Sequence, residues 1–131
     1  MGGGGLPRAP KKRLRILIVG SGAREHALAW KCLTSPLCER VYVAPGNGGT
    51  ASIARNAPVQ ADEPAKLTRL ARKEGIGLAV LGPEAAVAAG VGDALRDGGV
   101  PVFGPNRGPG RIESSKAFAK EVMRAAGIAT A

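Results

Sequence analysis

Aromatic residues, cysteines and long apolar runs are all scarce in this chain of 131 residues. Only 3% of the residues are aromatic, whereas 44% are hydrophobic and 20 are glycine. This balance favours a glycine- and alanine-rich α/β domain over a β-sandwich. At this length we expect one domain with a sizeable buried core.

No apolar run is long enough to cross a membrane, and the start of the chain lacks the apolar core of a secretory signal. The two cysteines, Cys32 and Cys38, have no partners at metal-ligand spacing. They therefore predict free thiols in a reducing compartment, and no metal site. We expect a cytoplasmic protein that has no membrane partner.

Positive charge is concentrated at the start of the chain, which has a formal net charge of +9. Within the first 15 residues stand Arg8, Lys11, Lys12, Arg13 and Arg15. Residues 1–13 are also rich in Gly and Pro, so we predict a disordered basic tail there. No aromatic residues interleave with these charges, and nucleic acid is therefore not an expected partner.

Apolar runs alternate with segments of helical periodicity along the chain. Strands are predicted at about 14–19, 40–44, 56–59, 77–82 and 101–103, and helices at about 24–33, 64–74, 85–97 and 115–126. On the first helix we expect Ala27, Leu28, Trp30 and Leu33 to be mostly buried. The alternation predicts an α/β fold with an open parallel sheet of about five strands and helices on both faces, a Rossmann-like arrangement.

The first strand ends in a glycine turn, Gly20-Ser21-Gly22, which leads directly into the first helix. Such a turn directs backbone N–H groups and the positive end of the helix dipole at an anion. Gly20 and Gly22 can adopt backbone angles that other residues avoid, which would let a phosphate approach the main chain. A plain connection from strand to helix would use the same residues, so the turn alone leaves both interpretations open.

A dinucleotide suits this turn less well than a single phosphate does. The third glycine position of the dinucleotide motif is occupied by Glu25, whose carboxylate would repel a pyrophosphate. No acidic residue follows the second strand at Val43 to hold an adenosine ribose. A nucleotide-dependent oxidoreductase is therefore not favoured.

Loops that follow the strands of a parallel sheet emerge at one edge, where ligands bind. We expect the loops Gly20–Glu25, Pro45–Thr50 and Pro83–Glu84 to converge there around one polar pocket. The candidate binding residues are Gly20, Ser21, Gly22, Arg24, Glu25, Gly46, Asn47, Pro83 and Glu84. Each could be an ordinary solvated loop residue, but three such loops together indicate a small-molecule site.

Five short motifs occur in a fixed order along the chain. They are VGSGAREHALAWK (19–31), VAPGNGGT (43–50), LGPEA (81–85), FGP (103–105) and ESSKAFAKE (113–121). In order and spacing they closely resemble the N-terminal domain of phosphoribosylamine–glycine ligase, also called glycinamide ribonucleotide synthetase. The resemblance covers residues 14–131, which we take as one substrate domain that precedes an ATP-grasp module.

The resemblance implies a ligase that joins glycine to 5-phosphoribosylamine with ATP in purine synthesis. It implies that the glycine turn binds the phosphosugar, that Asn47 and Glu84 lie near its sugar and amine together with Glu25, and that Lys116 lies near the ATP phosphates. No catalytic residue is assigned.

The same resemblance assigns ATP and Mg²⁺ to the full-length enzyme, in an ATP-grasp module expected after Ala131. We expect this chain alone to hold neither group and to be inactive by itself. The alternative that the sequence leaves open is a phosphosugar-binding or regulatory module, derived from that ligase, that has no catalytic activity.

Overall fold

A computed structural model of the chain describes residues 13–82, 85 and 90–103. Within them, the strands are β1 (Leu14–Gly20), β2 (Cys38–Pro45), β3 (Arg55–Asn56), β4 (Ile76–Leu81) and β5 (Val102–Phe103). The helices with described bounds are α1 (Ala23–Leu33), α2 (Gly48–Ala51), α3 (Pro64–Glu74) and α4 (Val91–Asp97). The sheet order is β3-β2-β1-β4-β5, and every strand pair is parallel.

Strand β1 lies at the centre of the sheet. Its residues from Ile16 to Val19 are each 0% exposed. In register, Leu17 pairs with Tyr42 of β2 on one side and with Ala79 of β4 on the other. Because both edges of β1 are paired and both of its faces are covered, it needs an unbroken apolar run rather than a polar alternation.

Helices cover both faces of the sheet and form two hydrophobic cores. Helix α1 buries Leu28, Ala29 and Cys32 against one face. Helices α3 and α4 bury Leu67 and Leu95 against the other. Since successive side chains of a strand point to opposite faces, β1 supplies residues to both cores. The predicted parallel sheet of about five strands with helices on both faces is confirmed.

Helix α1 turns a different side towards the sheet than the sequence predicted. Leu28 is buried as expected, but Trp30 is 53% exposed, Leu33 is 40% exposed and Ala27 is exposed as well. The prediction that these last three residues are mostly buried was wrong. The buried side of α1 includes Glu25 in its first turn. Apolar periodicity assigns a carboxylate to the solvent side, so it predicts the wrong orientation for this helix.

The connections after β2 differ in detail from the prediction. The predicted Pro45–Thr50 loop runs into the one-turn helix α2, which ends at Ala51, and β3 covers Arg55–Asn56 rather than residues 56–59. Helix α3 has the predicted bounds, with Pro64 in its first turn and Gly75 as its C-cap in the left-handed conformation (φ +66°). Pro at the start and Gly at the end of a helix match the usual asymmetry of helix termini.

Some predicted segments lie outside the described residues, namely the basic tail up to residue 12 and the helix at 115–126. The predicted helix at 85–97 is described only at Ala85 and from residue 90 onwards. In the part of the chain that the structure describes, no helix combines the length and the apolar character needed to cross a membrane.

The contrast between Leu17 and Trp30 gives a test of the core. Leu17→Ala should lower the free energy of unfolding by about 2–5 kcal/mol, because it leaves a cavity beneath fully buried neighbours. Trp30→Ala should lower it by about 1 kcal/mol or less, because half of this side chain is already exposed. Urea unfolding followed by circular dichroism measures both. A greater loss for Trp30→Ala would contradict the assignment of the buried side of α1.

Candidate functional site

The carboxyl ends of β1, β2 and β4 lie side by side at one edge of the sheet. The Gly46 N–H donates to the Gly20 carbonyl at 3.1 Å, which joins the loop after β2 to the turn after β1. The Gly82 N–H donates to the Val19 carbonyl at 2.9 Å, which places the end of β4 beside the same turn. The loops after β1 and β2 therefore converge, with Gly82 at the end of β4 beside them, as a parallel sheet requires.

Asn47 joins two of these loops through its side chain. Its Nδ2 donates to the Ser21 carbonyl at 2.8 Å and lies 3.3 Å from the Gly22 carbonyl. Its Oδ1 accepts the Thr50 N–H at 2.9 Å, so the same amide is the N-cap of α2. An Asn N-cap satisfies a backbone donor that would otherwise lack a partner at the start of the helix.

Glu25 stabilises the glycine turn through a hydrogen bond on its buried side. Its side chain is buried, and Oε1 accepts the Gly22 N–H at 2.8 Å. A Cβ at Gly20 would lie 2.7 Å from Glu25 Cγ, and a Cβ at Gly82 would overlap Glu25 Oε2. The glycines of two strand ends thus make room for a carboxylate of the chain itself, and the first turn of a helix favours that negative charge.

The two glycines of the turn differ in backbone conformation. Gly20 has φ +148°, which side chains of other residues rarely allow, whereas Gly22 is extended at φ −97° and ψ −176°. The expectation that both use special backbone angles is therefore correct for Gly20 and wrong for Gly22. Gly22 is the N-cap of α1, where an extended backbone is usual. A side chain introduced at this position would be restricted by Glu25 Oε1, which lies 3.1 Å from an ideal Cβ.

The outer surface of the turn is open to solvent. Ser21, Gly22, Ala23 and Arg24 are all exposed. Because its N-cap is glycine, α1 has no side-chain cap for the N–H groups of its first turn. These donors and the positive end of an 11-residue helix can therefore accept an anion from outside.

Most of the described candidate residues meet at this edge. Gly20, Ser21, Gly22, Glu25, Gly46 and Asn47 are linked by the contacts above. Arg24 lies on the exposed first turn of α1. Pro83, Glu84 and Lys116 lie outside the described residues, although Gly82, which precedes the first two, contacts the Glu25 side chain.

Sequence reasoning missed three polar residues at this edge. Thr50 is 0% exposed, and its hydroxyl lies 2.7 Å from Asn56 Oδ1. His26 packs its ring on Gly49, where a Cβ would lie 2.5 Å from His26 Cε1. A Thr three residues after an Asn is a readable capping signal. The contact of His26 with Gly49 joins distant parts of the chain, and the bonds of Asn56 cross from β3 to the loop after β2, so no pattern within a single element predicts either of them.

Two cysteines, one arginine and one glutamate of the described chain have shifted pKa values. Burial raises the pKa of Cys32 to about 12 and that of Cys38 to about 11. The hydrogen bond from Arg15 to Glu39 raises the pKa of the arginine. Hydrogen bonds from the Gln60 N–H and then from Lys66 lower the pKa of Glu63.

Among the described residues, no three His, Cys, Asp or Glu side chains lie close enough to hold a metal ion.

A groove of about 860 Å³ lies elsewhere, between α3 and α4, and Arg69, Arg72 and Lys73 are among its lining residues. It contains none of the residues of the three loops. The loop edge is therefore the candidate site because of its arrangement of donors and acceptors, not because of its volume.

An all-parallel α/β sheet with glycine-containing loops at its strand ends defines a domain of the Rossmann-like class. The model of the family "Phosphoribosylglycinamide synthetase, N domain" matches residues 14–113. The chain belongs to this family, which confirms the resemblance inferred from its five motifs.

Curated relatives agree with this assignment. The chain is 52% identical over 120 residues to a phosphoribosylamine–glycine ligase of Allochromatium vinosum. It is 50% identical over 118 residues to the ligase of that name from Ralstonia nicotianae, and 48% identical over 120 residues to one from a Nostoc species. Each match covers 90% of this chain and 28% of the relative, so the chain spans little more than a quarter of their length.

The raised thiol pKa values predict slow alkylation of the folded chain. Iodoacetamide reacts with the thiolate, so at pH 8 both Cys32 and Cys38 should react far more slowly than a thiol of ordinary pKa, about 8.5. The rate should keep rising through pH 10, because the thiolate fraction still grows there. Mass spectrometry of the alkylated peptides measures this, with the urea-unfolded chain as control. A plateau below pH 9 in the folded chain would contradict the prediction.

Proposed function

We propose that this chain is the domain of a phosphoribosylamine–glycine ligase that binds the phosphoribosylamine. In the proposed reaction, ATP transfers its terminal phosphoryl group to the carboxylate of glycine, which gives an acyl phosphate and ADP. The amine of phosphoribosylamine then attacks the acyl carbon, so that a carbon–nitrogen bond forms, the acyl carbon–oxygen bond breaks and inorganic phosphate leaves. The domain's contribution is to hold the phosphosugar in a fixed position, which lowers the entropy cost of bringing the two reactants together. The observation that carries the proposal is that the start of α1, which has no side-chain cap, is hydrogen-bonded to the loop after β2 through Asn47 Nδ2 and the Ser21 carbonyl.

The phosphate is proposed to bind at the outer surface of the glycine turn. Ser21, Gly22 and Arg24 are exposed there, and the N–H groups of the first turn of α1 have no side-chain cap. Glu25 lies on the inner side, with Oε1 already bonded to Gly22. The exposed guanidinium of Arg24 offsets the charge of this carboxylate for a ligand that approaches from outside.

The sugar and its amine are proposed to lie towards Glu25, Asn47 and the undescribed Glu84. Asn47 Oδ1 accepts one N–H, and it retains a second lone pair for a hydroxyl or amine of the ligand. Gly46 and Pro83 belong to the same two loops and are proposed to lie beside the ligand. Carboxylate and amide oxygens suit hydroxyl and amine donors better than they suit a second phosphate.

ATP and Mg²⁺ are proposed to act with the ligase as a whole, with Lys116 near the nucleotide phosphates and an ATP-grasp module as the partner of this domain. The described residues contain no cluster that could hold a metal ion, so none of them is assigned to Mg²⁺. The compartment is proposed to be the cytoplasm, which the free thiols of Cys32 and Cys38 support.

Ribose 5-phosphate, a stable analogue of phosphoribosylamine, tests the binding site. In an NMR titration the largest shifts should fall on the Gly20–Glu25 and Pro45–Thr50 loops. Ribose without phosphate should bind at least about tenfold more weakly, because it lacks the charge-assisted hydrogen bonds to the helix start. Gly22→Val should abolish binding, because its branched side chain would crowd Glu25 Oε1 and cover the first turn of α1.

Two variants serve as controls for this titration. Ala27→Val introduces the same side chain at an exposed position of the same helix, and Lys12→Ala removes a charge from the basic segment. Both should bind ribose 5-phosphate as the parent chain does. Shifts that gather on the basic residues before β1, or equal binding by Gly22→Val, would show that the phosphate assignment is wrong.

A further inference from the structure

We propose that Thr50 and Asn56 are positioning residues of the phosphosugar site, and that they act through Asn47. Neither residue is assigned to the ligand itself. The inference rests on the proposed function, because it concerns the geometry with which Asn47 meets the phosphosugar. It follows from a closed set of hydrogen bonds beneath the loop after β2.

Thr50 is the centre of this set. Its hydroxyl is completely buried, accepts the Asn47 N–H at 2.8 Å, and lies 2.7 Å from Asn56 Oδ1 and 3.0 Å from the Asn47 carbonyl. A hydroxyl has one proton to donate, and the shorter distance favours Asn56 as its acceptor. The Thr50 N–H in turn donates to Asn47 Oδ1 at 2.9 Å.

Asn56 reaches the same point from the next element of the chain, six residues after Thr50. It belongs to β3, a strand of two residues that pairs Asn56 with Val43 of β2. Its Oδ1 receives the Thr50 hydroxyl, and its Nδ2 donates to the Asn47 carbonyl at 2.9 Å. Exchanging the two ends of the amide would place Oδ1 against the Asn47 carbonyl oxygen, and because both atoms are acceptors this favours the orientation described.

Gly46 provides the space for the network. It has φ +79°, and a Cβ there would overlap Asn56 Oδ1 and lie 2.7 Å from Thr50 Oγ1. The absence of a side chain at Gly46 therefore leaves room for the side chains of Asn56 and Thr50. By contrast, a Cβ at Gly48 in the same loop would meet nothing within 4 Å.

The network holds Asn47 by its main-chain N–H, its carbonyl and its Oδ1. The remaining group, Nδ2, is directed at the Ser21 and Gly22 carbonyls of the glycine turn. The spacing between the two loops is thus set before a ligand arrives. Supporting hydrogen bonds of this kind hold binding groups in productive geometry.

Substitutions at Thr50 separate the hydroxyl from the volume of the side chain. Thr50→Val keeps the shape but removes the hydroxyl, which leaves the Asn47 N–H and Asn56 Oδ1 without it. We expect its affinity for ribose 5-phosphate to fall by about tenfold, as expected when buried polar groups lose a partner. Thr50→Ser restores the hydroxyl and should bind within about threefold of the parent. NMR titration measures the affinities. Urea unfolding first confirms that each variant is folded to the same extent as the parent.

Asn56→Asp provides a second test if Thr50→Val does not fold. Aspartate still accepts the Thr50 hydroxyl but places an oxygen, instead of Nδ2, against the Asn47 carbonyl. It should weaken binding of ribose 5-phosphate about tenfold and shift the NMR signals of the Asn47 side-chain amide. Arg55→Ala, at the exposed neighbouring position of β3, should change neither.

The outcomes distinguish this inference from the function on which it rests. If the parent chain binds ribose 5-phosphate and Thr50→Val or Asn56→Asp binds equally well, the positioning role is overturned and the proposed function stands. If Thr50→Ser binds as weakly as Thr50→Val, the hydroxyl is not the cause and the inference is likewise overturned. If the parent does not bind the phosphosugar, the proposed function fails, and the positioning role fails with it.

Discussion

The parallel pairing of β1 on both of its edges is the constraint on which the candidate site depends. β2 and β4 lie on either side of it, so the carboxyl ends of three strands are held a strand spacing apart at one edge. The residues that make this possible are apolar and completely buried. The polar loops can meet only because the buried run from Ile16 to Val19 fixes the register beneath them.

Glycine has two distinct roles at this edge. Gly20 and Gly82 leave room for the side chain of Glu25, and Gly46 leaves room for that of Asn56. Gly22 instead leaves the start of α1 without a side-chain cap. A glycine-rich loop is often taken as a sign of close approach by a ligand, but here most of the room serves internal hydrogen bonds. Gly20, Gly46 and Gly82 therefore serve the internal hydrogen bonds of the loops.

The sequence was sufficient for the sheet, for the bounds of α3 and for the convergence of the loops after β1 and β2, because these follow from apolar periodicity and from the geometry of parallel strands. It was not sufficient for the buried side of α1. Glu25 lies inside because the Gly22 N–H compensates its burial, and apolar periodicity contains no information on that bond. Asn56 was missed for a similar reason, since its partners Asn47 and Thr50 belong to another segment.

The shortness of β3 also affects how the sheet meets other protein molecules. Strand β3 is the outer strand on the β2 side, and an outer strand offers unpaired backbone groups on which a second chain can add its own strand. β3 is only two residues long, and Arg55, one of the two, carries an exposed positive charge. It is long enough to bring Asn56 to the loops but too short and too charged to template intermolecular pairing. The segment that completes the loop network therefore also protects this edge against aggregation.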